Sequence, residues 1–221
     1  MKGPTYTLLH RDECVVIVDK AAGVLTVQHP GTTERCLLDD LRRDGMAVAP
    51  VHRLDRETSG VLLLCLDKTL RKPLEQAFRK RQVQKTYLAL VSGCPSSPKA
   101  TIDLPILDHG ATAKVNRRGR PAVTHYEVLE SFAPRAALVR LTMATGRHNQ
   151  IRVHMAHLGH PLLGDRKYGR RGKGGTDEAR RSMLHAESLA LDHPAGGPRL
   201  KASCSPPPDF AEQLERLKTL R

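Results

Sequence analysis

The chain of 221 residues has no tryptophan, and aromatic residues make up 3% of it. A surface that binds nucleic acid by stacking bases on several aromatic side chains has little to be built from. Long apolar runs are missing too. No window approaches the ~18 consecutive apolar residues of a membrane helix, and Met1 to His10 lacks the apolar stretch of a signal peptide, so a cytoplasmic protein is expected. Five cysteines (Cys14, Cys36, Cys65, Cys94, Cys204) are odd in number, widely spaced and free of any CxxC. That argues against a disulfide framework or a zinc knuckle and predicts reduced, buried thiols. GxxxxGK[ST], GxGxxG and GxSxG do not occur, so nucleotide hydrolysis, dinucleotide redox chemistry and the serine-hydrolase elbow lack their usual signatures.

Positive charge is abundant: 36 Lys and Arg against 23 Asp and Glu give a formal net charge of +13. A polyanionic partner follows from that excess, because each cation placed on a phosphate releases a condensed counterion. The charge is also unevenly laid out. Residues 1–50 hold six basic and seven acidic residues, so the remaining 171 carry a net +14. Two stretches are dense, Asp67 to Lys85 with seven bases and two acids, and Pro161 to Arg181 with seven bases and three acids. With few aromatics available, nucleic acid would be held mainly through its backbone.

The periodicity predicts interleaved strands and helices without a regular strand-helix-strand rhythm. Cys14 to Val18 and Val24 to Val27 read as a hairpin, and Val61 to Leu66 as a short buried strand. Lys85 to Val91 and Met183 to Leu191 have strand character. Val123 to Leu129 and Ala137 to Met143 form an antiparallel pair around Pro134. Helices are expected after a cap at Thr32 or Thr33 as far as Gly45, after a cap at Thr69, over Asn149 to Leu158, and after a capping box of Asp209 and Glu212. Cys94 to Ala122 reads as connections with one short strand. The sum is an α+β protein, one domain over residues 1–221, on a largely antiparallel mixed sheet flanked by helices.

Two polar segments stand out for chemistry, His52-Arg53-Leu54-Asp55-Arg56-Glu57-Thr58-Ser59-Gly60 and Thr145-Gly146-Arg147-His148-Asn149-Gln150-Ile151-Arg152-Val153-His154. Arg53 and Arg56 favour the charged form of Asp55, which could then serve as nucleophile or base, or as a turn cap. His148, His154, His157 and His160 suggest a metal, but Arg147 and Arg152 would repel a cation and no thiol or acid completes the set. No metal is assigned. Arg166 to Gly175 is a basic loop suited to phosphate contact.

These segments resemble those of the RluA-type pseudouridine synthases. His52 to Gly60 is similar to their HRLDxxTSG signature and Thr145 to His154 to their TGRxHQIRxHM element. Val15 to Leu25, Lys85 to Val91, His160 to Gly169 and Leu184 to Ala186 resemble further family elements, in the same order along nearly the whole chain. The resemblance implies isomerisation of uridine to pseudouridine within rRNA or tRNA, with no cofactor; nothing in the sequence demands more than a monomer. It implies that Asp55 is the catalytic carboxylate, that Tyr87 contacts the flipped uracil and that Arg152 pairs with Asp55. Ile151 would pack under the base and Arg53 would fill the gap left in the RNA. His52, Arg147, Arg170 and Arg171 are further candidates for substrate contact.

Two departures stand out: Asn149 replaces the family's usual histidine and Ala21 a common proline. The chain would act as a stand-alone catalytic domain without an S4 domain. A catalytically silent RNA-binding or ribosome-assembly protein of the same fold, and an N-glycosidic hydrolase releasing uracil, are the alternatives.

Overall fold

The computed structural model describes residues 3–28, 31, 33–169 and 179–220. Arg170 and Arg171 lie outside them. In chain order the elements begin β1 (Tyr6–Arg11), β2 (Val15–Lys20), α1 (Leu37–Arg43), β3 (Ala49–Pro50), β4 (Ser59–Cys65), a 3-10 turn (Lys68–Leu70), α2 (Arg71–Arg79) and β5 (Gln84–Ser92). They continue with β6 (Lys99–Asp103), β7 (Ile106–Asp108), β8 (Ala113–Val115), β9 (Val123–Phe132), β10 (Ala136–Met143), α3 (Gln150–His157), β11 (Leu184–Leu191), β12 (Leu200–Ser203) and α4 (Pro208–Thr219). The class is the expected α+β with a mixed, mostly antiparallel sheet. Contacts gather into two compact units, Met1–Lys85 with Ala186–Pro206, and Thr86–His185 with Pro207–Arg221.

In the first unit the strand order is β1-β2-β4-β11, with β12 on β11 and β3 on β4. β2 and β4 are continuous apolar runs because both of their faces are covered, as the burial of every residue of β4 shows. They pair antiparallel from Val15 opposite Cys65 to Lys20 opposite Gly60. Val15, Ile17, Val61 and Leu63 pack with Leu74 of α2 and with Leu189, Leu191 and Leu200. Each fully buried side chain of this kind contributes ~1.5–3 kcal/mol. At the end of β4, Gly60 has φ +112°, and a Cβ there would stand 2.2 Å from the Ala186 carbonyl oxygen. No other residue type allows that approach of β11.

The second unit carries the order β5-β10-β9-β6, with a separate hairpin of β7 and β8. Tyr87 of β5 lies opposite Leu141 of β10. One core gathers Leu88, Leu90, Phe132 and Leu163 with Phe210 and Leu217 of α4. A smaller one sets Val153 of α3 against Ile106, Ala113 and Ala122, with Tyr168 packed beside it.

Several boundaries differ from expectation for identifiable reasons. β2 pairs with β1 rather than with Val24 to Val27, which make a single bridge through Leu25 to Cys36. That bridge, with Leu37 N–H on the Leu25 carbonyl at 2.8 Å, sets the cap of α1 at Cys36 instead of Thr33; Thr32, the other expected cap, lies outside the described residues. Asp67 rather than Thr69 caps the 3-10 turn, accepting from Thr69 N–H at 2.8 Å. Pro207 stands at the cap of α4, and Asp209 is instead bound by the Arg181 guanidinium at 2.6 and 3.0 Å. Cys94 to Ala122 holds β6, β7 and β8 rather than one short strand. None of the five cysteines is in a disulfide; Cys36 and Cys65 are buried, whereas Cys14, Cys94 and Cys204 are partly exposed.

Candidate active site

Asp55 sits on the turn that leads into β4, where Thr58 N–H closes on the Asp55 carbonyl at 3.1 Å. The backbone is pinned on both sides of it. Before Asp55, the Thr26 hydroxyl donates to the Leu54 carbonyl at 2.9 Å and accepts from Leu54 N–H at 3.2 Å. After it, the Arg56 carbonyl accepts Gly23 N–H at 2.8 Å and the Lys20 ammonium at 3.3 Å. Lys20 is fully buried and also donates to the Ala21 and Val24 carbonyls at 2.9 and 2.8 Å. A buried ammonium requires such acceptors, so the Val15 to Leu25 segment and the Asp55 turn form one rigid piece. The Asp55 side chain is half-buried, and Arg53 beside it is exposed. Arg56 extends to Glu34.

His52 has a packing job. Its ring stacks on Phe78 of α2 at 4.4 Å, and its Nε2 accepts the Leu63 N–H at 3.1 Å, which puts the neutral ring's proton on Nδ1. Burial, aided by the Lys85 charge, pushes its pKa down to about 3.

Arg147, Ile151 and Arg152 belong to the loop and first turns of α3, in the second unit. Gln150 braces that loop: its Oε1 accepts the Thr145 hydroxyl at 2.7 Å and Arg147 N–H at 3.0 Å, while its Nε2 donates to the Val123 carbonyl at 2.9 Å and Thr124 Oγ1 at 3.0 Å. Arg147 Nε donates to the Pro121 carbonyl at 3.1 Å. Ile151 and Tyr87 are buried, at 3% and 6% exposed.

Arg152 is held by Asp165, a residue the sequence reading had given no role. Nε and Nη2 donate to the two carboxylate oxygens at 2.7 and 2.8 Å, and the Asp165 side chain is 0% exposed. Asp165 Oδ1 also accepts the N–H groups of Lys167 and Tyr168 at 2.9 and 3.0 Å. Nη1 of Arg152 reaches Asn149 Oδ1 at 3.2 Å, and the guanidinium lies 5.2 Å from the centre of the Tyr168 ring. The Tyr168 hydroxyl in turn accepts from Asn149 Nδ2 and from Ala113 N–H, both at 3.0 Å.

Asn149 therefore has a structural account. At φ 54° it takes the left-handed conformation that asparagine tolerates better than most residues, and it ties Arg152 to Tyr168. The signal for Asp165 was the acid inside His160 to Gly169. Its partner lies thirteen positions back, outside any helical spacing.

Three of the four histidines near α3 serve separate jobs. His154 is buried, with Nδ1 on Thr124 Oγ1 and Nε2 on the Leu104 carbonyl, both at 2.9 Å, and burial lowers its pKa. His148 meets Asp108 at 3.2 Å, and His160 meets the Ser92 carbonyl at 3.0 Å. Among the described residues the group with ligand atoms mutually within 4.8 Å is Asp12, Cys14 and His193. There Asp12 Oδ1 accepts Cys14 and Val15 N–H groups at 2.7 and 2.8 Å, closing the turn between β1 and β2. Of the residues expected in the site, His52, Arg53 and Asp55 thus fall in the first unit, and Tyr87, Arg147, Ile151 and Arg152 in the second.

Comparison with solved structures identifies the fold as that of the pseudouridylate synthases. Human RNA Pseudouridylate Synthase Domain Containing 4 matches with a TM-score of 0.78 and 30% identity, over 96% of this chain and 92% of that one. Human RNA Pseudouridylate Synthase Domain Containing 1 matches with a TM-score of 0.79 and 26% identity, over 99% and 97%. The family model described as RNA pseudouridylate synthase covers residues 14–157. The dual-specificity RNA pseudouridine synthase RluA of Escherichia coli K12 is 39% identical, across 88% of this chain and 90% of its own. Ribosomal large subunit pseudouridine synthase D of Haemophilus ducreyi is 34% identical, across 96% and 70%. The chain belongs to the RNA pseudouridylate synthase family, and is an isomerase acting on uridine in RNA.

Proposed function

We infer that the protein converts particular uridines of tRNA or rRNA to pseudouridine, with Asp55 as the carboxylate that acts at the sugar. The observation that carries this reading is the family match over residues 14–157, which contains Asp55, Tyr87 and Arg152 together with Arg53, Arg147 and Ile151. The dual specificity named for the similar Escherichia coli enzyme is what suggests tRNA and rRNA as the substrate class. In the reaction the bond from C1′ to N1 breaks, the uracil turns, and a bond from C1′ to C5 forms. C5 then gives up its proton and N1 gains one, so the mass of the RNA is unchanged.

Such chemistry needs a carboxylate fixed relative to the sugar, because misplacement by an ångström lowers the rate steeply. The ties of Lys20, Gly23 and Thr26 to the backbone on either side of Asp55 supply that rigidity on the protein side. Exposed Arg53 fills the gap in the stack when the uridine is extruded. Tyr87 assists the last proton transfer, Ile151 packs under the base and Arg152 contributes positive charge. The enzyme works as a monomer in the cytoplasm; among the described residues no helix is long and apolar enough to cross a membrane.

The test is pseudouridine mapping of tRNA and rRNA from cells lacking the protein, complemented with wild type or Asp55→Ala. At least one site should vanish and return with wild type alone. If no site vanishes, or if Asp55→Ala restores it fully, the assignment is wrong.

A further inference from the structure

The C-terminal end of α2 is closed by an unfavourable residue. Gln82 N–H reaches the Ala77 carbonyl at 3.0 Å and Arg81 N–H the Phe78 carbonyl at 3.3 Å, the paired bonds of a Schellman motif. Its turning residue is Arg81, at φ 63°. Glycine takes this conformation without steric cost, and ten of the twelve positive-φ positions among the described residues are glycine. The other exception, Asn149, bonds through its side chain into the fold. The Arg81 side chain is exposed, and among the described residues it has no hydrogen-bond or ion-pair partner. A strained residue kept where its side chain adds nothing to the fold points to a use outside the fold.

The rest of the helix says what that use is. At 100° per residue Lys72 and Arg79 share one face of α2, Lys68 precedes them on the 3-10 turn, and Lys80 and Arg81 extend the run; all five are exposed. Leu74 and Phe78, on the opposite side, belong to the core of the first unit. The nearby acids are occupied, Asp67 with the Thr69 N–H and hydroxyl at 2.8 Å and Glu75 with Arg71 at 2.9 Å. Five uncompensated cations therefore lie along ~18 Å of helix, a length that meets several successive phosphates. Phe78, the aromatic of this helix, is packed beneath it, so the face is suited to backbone rather than bases. The same Phe78 stacks on His52, three residues before Asp55, which couples the helix to the catalytic turn.

We propose that this face of α2, ending in Arg81, is a docking surface for the phosphate backbone of the RNA substrate, with Arg81 as a direct phosphate contact. This rests on the reading that RNA is the substrate. The test uses full-length protein and an unmodified tRNA transcript that the wild type converts, with binding measured from about 50 to about 250 mM KCl. Arg81→Gly should raise Tm by about 2–4 °C by relieving the strained turn. It should also weaken binding several-fold and flatten the log–log salt slope by about 0.7–0.9. Lys72→Gln with Arg79→Gln should lower the slope by about twice that with little change in Tm.

Unchanged affinity and slope in both variants would overturn the docking surface even while conversion by the wild type stands. A fall in Tm for Arg81→Gly would overturn the argument from strain. A wild type that converts no uridine in any RNA would instead sink the function reading, which the same assay reports separately.

Discussion

Asparagine at position 165 would test how Arg152 is held. In the wild type, Asp165 Oδ1 takes three donors, Arg152 Nη2 and the N–H groups of Lys167 and Tyr168, while Oδ2 takes Arg152 Nε at 2.7 Å. Asp165→Asn keeps the first oxygen and its turn, but presents an amide NH2 to the Arg152 Nε–H. One charge-assisted bond, worth ~1.5–3 kcal/mol, becomes a donor facing a donor, and the negative charge of Asp165 is removed from beside a guanidinium only 12% exposed. Together these should cost ~3–5 kcal/mol. Arg152→Gln alone should cost about as much, because it strands a buried carboxylate. The double variant, with two neutral amides facing each other, should recover most of the loss, giving a coupling of at least ~2 kcal/mol. Urea unfolding of the four proteins measures it, and turnover of an unmodified transcript is followed alongside. Stability should return in the double variant while activity does not. A loss below ~1 kcal/mol in Asp165→Asn, or a cycle additive within ~0.5 kcal/mol, would refute the clamp.

Two other perturbations have definite signs. His52 stays neutral in the folded chain down to about pH 3, while in the unfolded chain it takes up a proton near its ordinary value. Between those values the unfolded state binds the extra proton, so this contribution is intact at neutral pH and declines as the pH falls below ~6.5. Urea midpoints at neutral and mildly acid pH should show the decline, and His52→Gln should make it shallower; an equally steep limb in the variant would assign it to other groups. Lys20→Met removes the donor shared by the Ala21, Val24 and Arg56 carbonyls. It should cost ~1–3 kcal/mol and lower turnover by loosening the Asp55 turn, and a variant that is destabilised yet fully active would show that the tie to Arg56 does not position Asp55.

What the sequence revealed depended on how local the cause was. β4 and α3 were legible because continuous burial and a 3.6-residue stripe are written within each segment, and the antiparallel pair of β9 and β10 because both strands have strand composition. β1 was not. Its residues are half-buried or exposed, and its pairing is decided by β2 beside it rather than by a pattern of its own. The caps at Thr33 and Asp209 failed for a related reason: the bridge from Leu25 fixes one helix start, and Arg181 claims Asp209. The site divides the same way. Asp55, Tyr87 and Arg152 were read through a resemblance to known motifs, while the carboxylate that holds Arg152, and the carbonyls that hold Lys20, are partners set by the fold.

Gly60 closes the most recognisable motif of the chain, five residues after Asp55, yet its requirement comes from the backbone of β11 2.2 Å from where a Cβ would stand. The motif therefore carries two kinds of information in one string. In a mutational scan scored by pseudouridine content, Asp55 and Gly60 would both register as essential, but the first should leave protein abundance untouched and the second should deplete it. Pairing the modification readout with an abundance readout would sort the letters of the motif into chemistry and architecture, one residue at a time.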